Sequence, residues 1–223
     1  MPETQLSGWA SQAPEWLPPP GPLVIVGPHP DDETLGAGGL IFTCSHQDIK
    51  VTVISITDGE AACPEVPMLE AVRRRELVGA MRALGLAQTD IFRLGMPDGA
   101  LTNREAELTQ ALAKCMPDGA IMVAPFEYDG HPDHEAAGRA CQSAAQIRGL
   151  RIVRYPVWGW ERTPSQLLME RAPVRFVLGS RAQQAKLNAV SQFRSQIEPR
   201  PGGAIVPTHM LEYFSRPYEV FLL

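Results

Sequence analysis

Short apolar segments alternate with amphipathic segments along most of the chain, starting at Leu23. Leu23–Gly27 is an apolar run that ends in Gly-Pro, and residues 51–57 are rich in β-branched side chains. Runs of this length and composition are typical of strands buried in a parallel sheet. Residues 69–84 differ, because their apolar side chains recur with helical spacing and Gly85 follows where a helix C-cap is expected.

The same patterns predict the remaining elements. Further strands are expected at residues 91–94, 120–125, 151–158 and 174–178, and further helices at 34–46, 103–115, 134–147 and 181–197. The chain closes with an apolar run at residues 220–223. In the last of these helices, Leu187, Val190 and Ile197 are expected on the buried side. Because strands that alternate with helices of this length form βαβ units, we predict an α/β fold. It would be a single Rossmann-like domain with a mainly parallel sheet and helices on both faces.

The domain is expected to occupy residues 23–223, because residues 1–22 have a different character. Five prolines lie between Pro14 and Pro22, and no periodicity is present. Such a composition predicts an extended, proline-rich N-terminal tail. Trp9 and Trp16 are expected to hold this tail against the domain, since a solvated tail gains nothing from two indole rings.

Composition and charge argue against several classes of protein. Hydrophobic residues make up 44% of the chain and charged residues 20%, as in a globular domain with a sizeable core. The formal net charge of −5 argues against a dominant nucleic-acid role. Neither a membrane span nor a signal peptide is expected, since no apolar run is long enough for either. The four cysteines contain no Cys-x-x-Cys pair, so reduced thiols and a cytoplasmic location are expected.

Two polar segments follow predicted strands and carry the candidate chemistry. Pro28–Glu33 comes directly after the first strand, and His131–His134 comes shortly after the strand at 120–125. In open parallel sheets, ligands bind beyond the carboxyl ends of the strands. Together the two segments hold three of the five histidines, at what is expected to be one edge of the sheet.

The spacing within each segment suggests a metal site. His29 and Asp32 are three residues apart, as are His131 and His134, and such pairs project the same way from a helical turn. Two histidines and one carboxylate would leave a zinc ion its open fourth position, and Asp31 would be a natural base for the bound water. Each segment alone is equally compatible with a helix N-terminus or a polar turn that binds nothing.

In combination, Pro28–Glu33 and His131–His134 resemble the PIG-L/LmbE-like family of zinc-dependent N-acetylglucosaminyl deacetylases. The resemblance runs along most of the chain from about residue 23. The weaker matches are Thr57–Glu60, Arg73 and Glu76 with Leu84-Gly85, Leu94–Gly99, and Lys186 with Ser195-Gln196.

The resemblance implies one Zn²⁺ per chain, with His29, Asp32 and His134 as ligands. It also implies that Asp31 is the general base. The substrate class would be an N-acetylglucosamine-type amino sugar or its conjugate. Members of this family often oligomerise, which leaves a homo-oligomer open for this chain.

Four further residues receive roles from the resemblance. His131 would stabilise the oxyanion or protonate the leaving amine, and Asp133 would orient His131. Arg73 and Asp98 would contact the substrate.

One position departs from the family pattern. Relatives with a tyrosine two residues before the first histidine of the second motif use it at the reaction centre, whereas this chain has Asp129 there, after Tyr128. The substrate could therefore differ from that of the family members that act in thiol biosynthesis.

The sequence leaves two other functions open. One is a zinc amidase or esterase that acts on a non-sugar substrate. The other is a metal-free nucleotide-binding domain of Rossmann type, which would use the glycine-rich stretch Gly36–Gly39. Those glycines lie inside the predicted helix rather than at the strand end, which favours a role in helix packing.

Overall fold

The computed structural model describes residues 3–63, 65–200 and 202–223. Within them, the strands form one seven-stranded sheet of order β3-β2-β1-β4-β5-β7-β6. The strands are β1 (Leu23–Gly27), β2 (Val51–Ser55), β3 (Ile91–Arg93), β4 (Ile121–Pro125), β5 (Arg151–Tyr155), β6 (Pro173–Val177) and β7 (Tyr218–Leu222). Strands β1 to β5 pair in parallel, whereas β7 runs antiparallel to both β5 and β6.

Helices cover both faces of this sheet. They are α1 (Glu3–Gln12), α2 (Asp32–Ser45), α3 (Leu69–Ala83), α4 (Glu105–Cys115), α5 (Pro132–Arg148), α6 (Gly159–Arg162), α7 (Ser165–Met169), α8 (Ser180–Val190), α9 (Arg194–Ile197) and α10 (Thr208–Phe214), with 3₁₀ turns at Gln88–Asp90 and Leu101–Arg104. Among these helices, none has the length and apolar character that a membrane crossing requires.

Alternate residues of each central strand enter two separate cores. Leu23 and Ile25 of β1 pack with side chains of α2, α3 and α8 on one face, whereas Val24 and Val26 pack with α4 and α5 on the other. Because both faces are covered, β1 and β4 are buried along their whole length. This explains why their sequences are continuous apolar runs. The predicted α/β fold with a mainly parallel sheet is confirmed.

The N-terminal tail is not wholly extended, because Glu3–Gln12 forms α1. This part of the prediction is wrong, since the proline run begins only after the helix. The two tryptophans do contact the domain. Trp9 stacks on Trp160 with ring centroids 5.9 Å apart, and Trp16 lies 5.3 Å from Phe221.

The predicted helix over residues 181–197 is two helices. Helix α8 ends at Val190, and α9 begins at Arg194 after a turn that buries Phe193 in the core. Leu187, predicted to be buried, is 37% exposed on α8. Helices α6, α7 and α10 were not predicted, because four to seven residues are too few to display a helical period.

The sheet places the two polar segments side by side. Strands β1 and β4 are hydrogen-bonded neighbours, with Leu23 opposite Ile121. The chain runs from β1 to β2 on one side of β1 and reaches β4 on the other, so the order of strands switches between β1 and β4. Such a switch point opens a crevice at the carboxyl ends of the strands.

Candidate metal centre and active site

The loop after β1 places Asp31 and Asp32 in different directions. Asp31 has a φ of +140°, which few residues other than glycine adopt. Three hydrogen bonds of the Asp31 backbone hold this turn: its N–H donates to the side-chain Oε2 of Glu33 at 3.2 Å, and its carbonyl accepts from the N–H groups of Thr34 at 2.9 Å and Leu35 at 2.8 Å. Helix α2 therefore starts at Asp32, with Asp31 at its N-cap.

Three side chains form a nearly equilateral triangle of ligand atoms. Asp32 Oδ2 lies 3.2 Å from His29 Nδ1 and 3.2 Å from His134 Nε2, and the two nitrogens are 3.3 Å apart. Ligand atoms about 2.0–2.2 Å from a tetrahedral zinc ion lie about 3.3–3.6 Å from one another. The donor set and its spacing therefore fit a zinc ion with an open fourth position.

The other ring nitrogen of each candidate ligand faces carboxylates. His134 Nδ1 lies 2.7 Å from Asp129 Oδ2, and His29 Nε2 lies 3.0 Å from Asp98 Oδ1 and 3.4 Å from Asp133 Oδ2. A carboxylate at this position keeps the proton on the ring nitrogen that faces it. The other ring nitrogen, which faces Asp32, is then left unprotonated and free to bind a metal. We therefore interpret Asp98 and Asp133 as hydrogen-bond partners of the candidate ligand His29, rather than as ligands of a second metal ion.

Asp129 is a site residue that the sequence analysis did not identify as a partner of His134. It is fully buried, and besides His134 it accepts hydrogen bonds from the backbone N–H groups of Val157 at 2.8 Å, Trp158 at 3.0 Å and Gly159 at 2.7 Å. These donors follow β5, about thirty residues later, so local spacing gave no signal for them.

Tyr128 does not replace the family tyrosine at the cleft. Its side chain is 47% exposed, and the Arg171 guanidinium lies 5.1 Å from its ring centroid. It is absent from the described residues that line the cleft. Neither Tyr128 nor Asp129 therefore places a hydroxyl beside the candidate metal ligands.

The side chain of Asp133 faces His29. Its carboxylate accepts hydrogen bonds from the N–H groups of Gly99 at 2.7 Å and Leu101 at 3.1 Å and approaches His29, and its expected role in orienting His131 stays a prediction. Its backbone N–H donates to His131 Nδ1 at 3.3 Å. A neutral His131 therefore carries its proton on Nε2.

Arg73 is buried against the loop that carries Asp31. Its Nη2 donates to the Pro30 carbonyl at 2.9 Å and to Asp31 Oδ1 at 3.3 Å, and its Nη1 donates to the Gly59 carbonyl at 3.1 Å. A Cβ at residue 59 would collide with the guanidinium, so this position requires glycine. Glu76, in the same helix as Arg73, accepts hydrogen bonds from Ser195.

Burial and charge shift the pKa values in this cluster in opposite directions. Burial raises the pKa of Asp31 to about 8, although the Arg73 guanidinium opposes this shift. Burial also disfavours the charged form of Asp32, but the charge of His134 and hydrogen bonds from both histidines hold its pKa well below the usual value. For His131, burial and the charges of His134 and His29 lower the pKa to about 4.

An open cleft of about 230 Å³ gives access to this cluster. It is lined by His29, Asp31, Asp32, Leu35, Ala61, Ala62, Arg73, Asp98, Gly99, His131, Val157, Trp158, Gln196, Ile205 and Val206. His134 lies beneath the lining and is fully buried. Seven of the eight predicted site residues thus meet at one end of a cleft or beneath it, and Asp133 supports His29 from behind.

Comparison with known proteins finds deacetylases among the relatives of this chain. A probable N-acetyl-alpha-D-glucosaminyl L-malate deacetylase of Bacillus anthracis is 32% identical over 133 residues, which cover 55% of this chain and 58% of that protein. A diacetylchitobiose deacetylase of Thermococcus kodakarensis is 30% identical over 134 residues, covering 57% of this chain and 50% of its own. The chain thus matches little more than half the length of these relatives.

A solved structure and a family profile also match this chain. The crystal structure of a conserved protein of Thermus thermophilus superposes with a TM-score of 0.62 and 26% identity, covering 90% of this chain and 93% of its own. The profile described as GlcNAc-PI de-N-acetylase matches residues 24–145, which run from β1 through the second polar segment and most of α5. This chain belongs to the GlcNAc-PI de-N-acetylase (PIG-L) family.

Proposed function

We propose that the protein is a zinc-dependent hydrolase that removes an acetyl or short acyl group from the amide nitrogen of an N-acetylglucosamine-type amino sugar or its conjugate. The observation that carries this proposal is the triangle of His29, Asp32 and His134, with Asp31 and His131 beside it on the same cleft. The sugar component rests on family membership and on the names of the relatives.

Hydrogen bonds would orient the candidate ligands His29 and His134 before zinc binds. The neighbouring carboxylates Asp129 and Asp98 keep the free nitrogens of His134 and His29 directed at Asp32. A bound zinc ion would supply Lewis-acid polarisation of the amide carbonyl and a water of lowered pKa.

Asp31 would take the proton of the attacking water. Its carboxylate lines the cleft next to Asp32, and the hydrogen bond from Arg73 fixes its orientation. The guanidinium opposes the rise in the Asp31 pKa that burial causes, so it favours the charged form that accepts a proton. Arg73 would thus act through Asp31 as well as contact the substrate from the cleft wall.

His131 would act on the opposite side of the reacting amide. Its Nδ1 accepts the Asp133 N–H, so Nε2 is the nitrogen that can donate. A neutral His131 would stabilise the oxyanion by donating its Nε2–H, and the proton that Asp31 takes from the water would go to the leaving amine. Asp98 lines the same cleft and would contact the substrate while it holds His29.

The alternative of a nucleotide-binding loop finds no support among the described residues. Gly36 lies in α2, and a Cβ there would collide with the Tyr155 ring. This glycine therefore serves close packing of the helix. A non-sugar amide or ester remains the second candidate substrate, because the metal centre alone does not select a sugar.

Release of acetate from a substrate panel tests this proposal. The zinc-loaded protein would be offered N-acetyl amino sugars, N-acetyl amino acids and acetyl esters, with the Asp31→Ala variant as the control for background hydrolysis. We expect the highest kcat/KM on an N-acetyl amino sugar. Turnover confined to amino acids or esters would refute the sugar specificity, and no turnover of any substrate in the panel would refute the hydrolase.

Location and assembly belong to the same proposal. All four cysteines are unpaired, which is consistent with the reducing cytoplasm expected from the sequence. A homo-oligomer is proposed only because members of the family often form one.

A further inference from the structure

Gln196 on α9 has no role in the mechanism above, although it borders the catalytic cleft. Its side chain is fully buried. Its backbone carbonyl accepts a hydrogen bond from the Val206 N–H at 3.0 Å, which ties it to the next segment of the cleft wall.

A chain of hydrogen bonds fixes the orientation of the Gln196 amide. Ser195 donates both its groups to Glu76: the backbone N–H to Oε1 at 2.8 Å and the hydroxyl to Oε2 at 2.6 Å. A serine hydroxyl has one proton, so Ser195 Oγ can only accept from Gln196. The group 2.6 Å from that oxygen must therefore be the Gln196 NH₂, as observed.

This orientation leaves the Gln196 carbonyl oxygen without a donor. Oε1 is buried and has no hydrogen-bond partner among the described residues. A buried acceptor without a donor is unfavourable, and such groups in native proteins commonly receive a ligand or a water. The carboxylates of Asp31, Asp32 and Asp98 line the same cleft, which disfavours an anionic ligand and favours one that donates.

We infer that Gln196 is a specificity residue whose Oε1 accepts a hydrogen bond from a hydroxyl of the sugar bound in the cleft, with Glu76 and Ser195 holding the amide in its accepting orientation. This inference rests on the proposed function. It gives Glu76 and Ser195 the role of positioning the Gln196 amide.

Deoxy analogues of the substrate test the contact directly. The kcat/KM of wild-type protein and of Gln196→Met would be compared on N-acetylglucosamine, or on its best conjugate from the panel, and on the 3-, 4- and 6-deoxy forms. We expect one deoxy form to lose about tenfold to a hundredfold in the wild type, and the same loss to vanish in Gln196→Met. Gln192→Met, the same change on an exposed residue in the turn between α8 and α9, should retain the wild-type pattern.

A second variant, Ser195→Ala, tests the same contact in case Gln196→Met folds poorly. Ser195→Ala frees the Gln196 amide to rotate, so it should reduce the same hydroxyl preference while zinc content and Tm stay near those of the wild type. Equal losses on every deoxy form in the wild type and in both variants would overturn the assignment of Gln196 alone. If wild-type protein hydrolyses no amino sugar, the proposed function falls, and this inference falls with it.

Discussion

Asp31 and Asp32 are neighbours in the chain but have different surroundings. Asp32 lies between the two histidines, with its Oδ2 3.2 Å from a nitrogen of each. Asp31 is turned away by its positive φ and contacts Arg73. The two carboxylates are therefore not interchangeable, and substitution separates their roles.

Asp31→Ala should keep zinc and lose about 10²–10⁴-fold in kcat, which is the usual contribution of a general base. Asp32→Ala should lose the metal, because only two ligand side chains remain. Zinc content by elemental analysis and kcat on the same samples distinguish the two variants. Zinc loss from Asp31→Ala with retention by Asp32→Ala would show that the two roles are reversed.

Asp129 leads to a second prediction at this scale. Its hydrogen bond to His134 Nδ1 should raise zinc affinity, so Asp129→Asn should weaken zinc binding by about tenfold to a hundredfold. Competition with a chromogenic chelator measures the dissociation constant. Asp118→Asn, a matched change on a side chain that is 98% exposed, should leave zinc affinity unchanged. An unchanged affinity in Asp129→Asn would show that this hydrogen bond does not support the metal site.

The sequence predicts the candidate metal ligands better than the residues that hydrogen-bond to them. His29, Asp32 and His134 belong to short motifs with helical spacing, and both motifs follow strands. The contacts of Asp129 and of Asp133 depend on backbone N–H groups from distant loops. No local pattern encodes such pairings, which arise only when the sheet brings the loops together.

At the scale of elements, helix α2 begins at Asp32 and so positions this candidate ligand. The helix is kinked in its middle. Ala37 has non-helical φ and ψ angles of −140° and 17°. Beyond the kink, the N–H groups of Gly39 and Leu40 donate to the Glu219 carboxylate at 2.7 and 2.9 Å. Lys186 of α8 pairs with the same carboxylate at 2.6 Å. Strand β7 thus caps the second half of α2.

Removal of one member of this buried ion pair should be strongly destabilising. Lys186→Met leaves Glu219 charged and unpaired, so we expect a loss of about 3–5 kcal/mol in the free energy of unfolding. Urea denaturation of the wild type and variant measures it. Lys186→Met combined with Glu219→Gln should lose less than Lys186→Met alone, since no unpaired charge remains. A loss under about 0.5 kcal/mol in the single variant would contradict a structural role for the pair.

Element prediction succeeded where an element was long or fully buried. Strands β1 and β4 and helix α3 have sequence patterns that match their positions closely. The kink in α2 could not be predicted, because it is stabilised by a residue of β7 near the other end of the chain. Helix α1 was not predicted, because residues 1–22 show no helical period in their apolar positions.

At the scale of the whole molecule, strand order creates the site. The switch between β1 and β4 lets one loop supply His29, Asp31 and Asp32 and the other supply His131 and His134. Alternation of strands and helices predicted this shared edge from sequence alone. The wall of the cleft formed by Gln196 and Val206 was not predicted, because it comes from the irregular C-terminal third of the chain.

The central claim is that one zinc ion per chain, held by His29, Asp32 and His134, is required for amide hydrolysis. Its most direct test is a zinc titration of metal-stripped protein, with acetate release measured from the best substrate of the panel. We predict that activity is absent without metal, rises in proportion to added zinc and levels off at about one equivalent per chain, and that His134→Ala shows no such rise. Full hydrolytic activity in exhaustively chelated, metal-free protein would contradict the account.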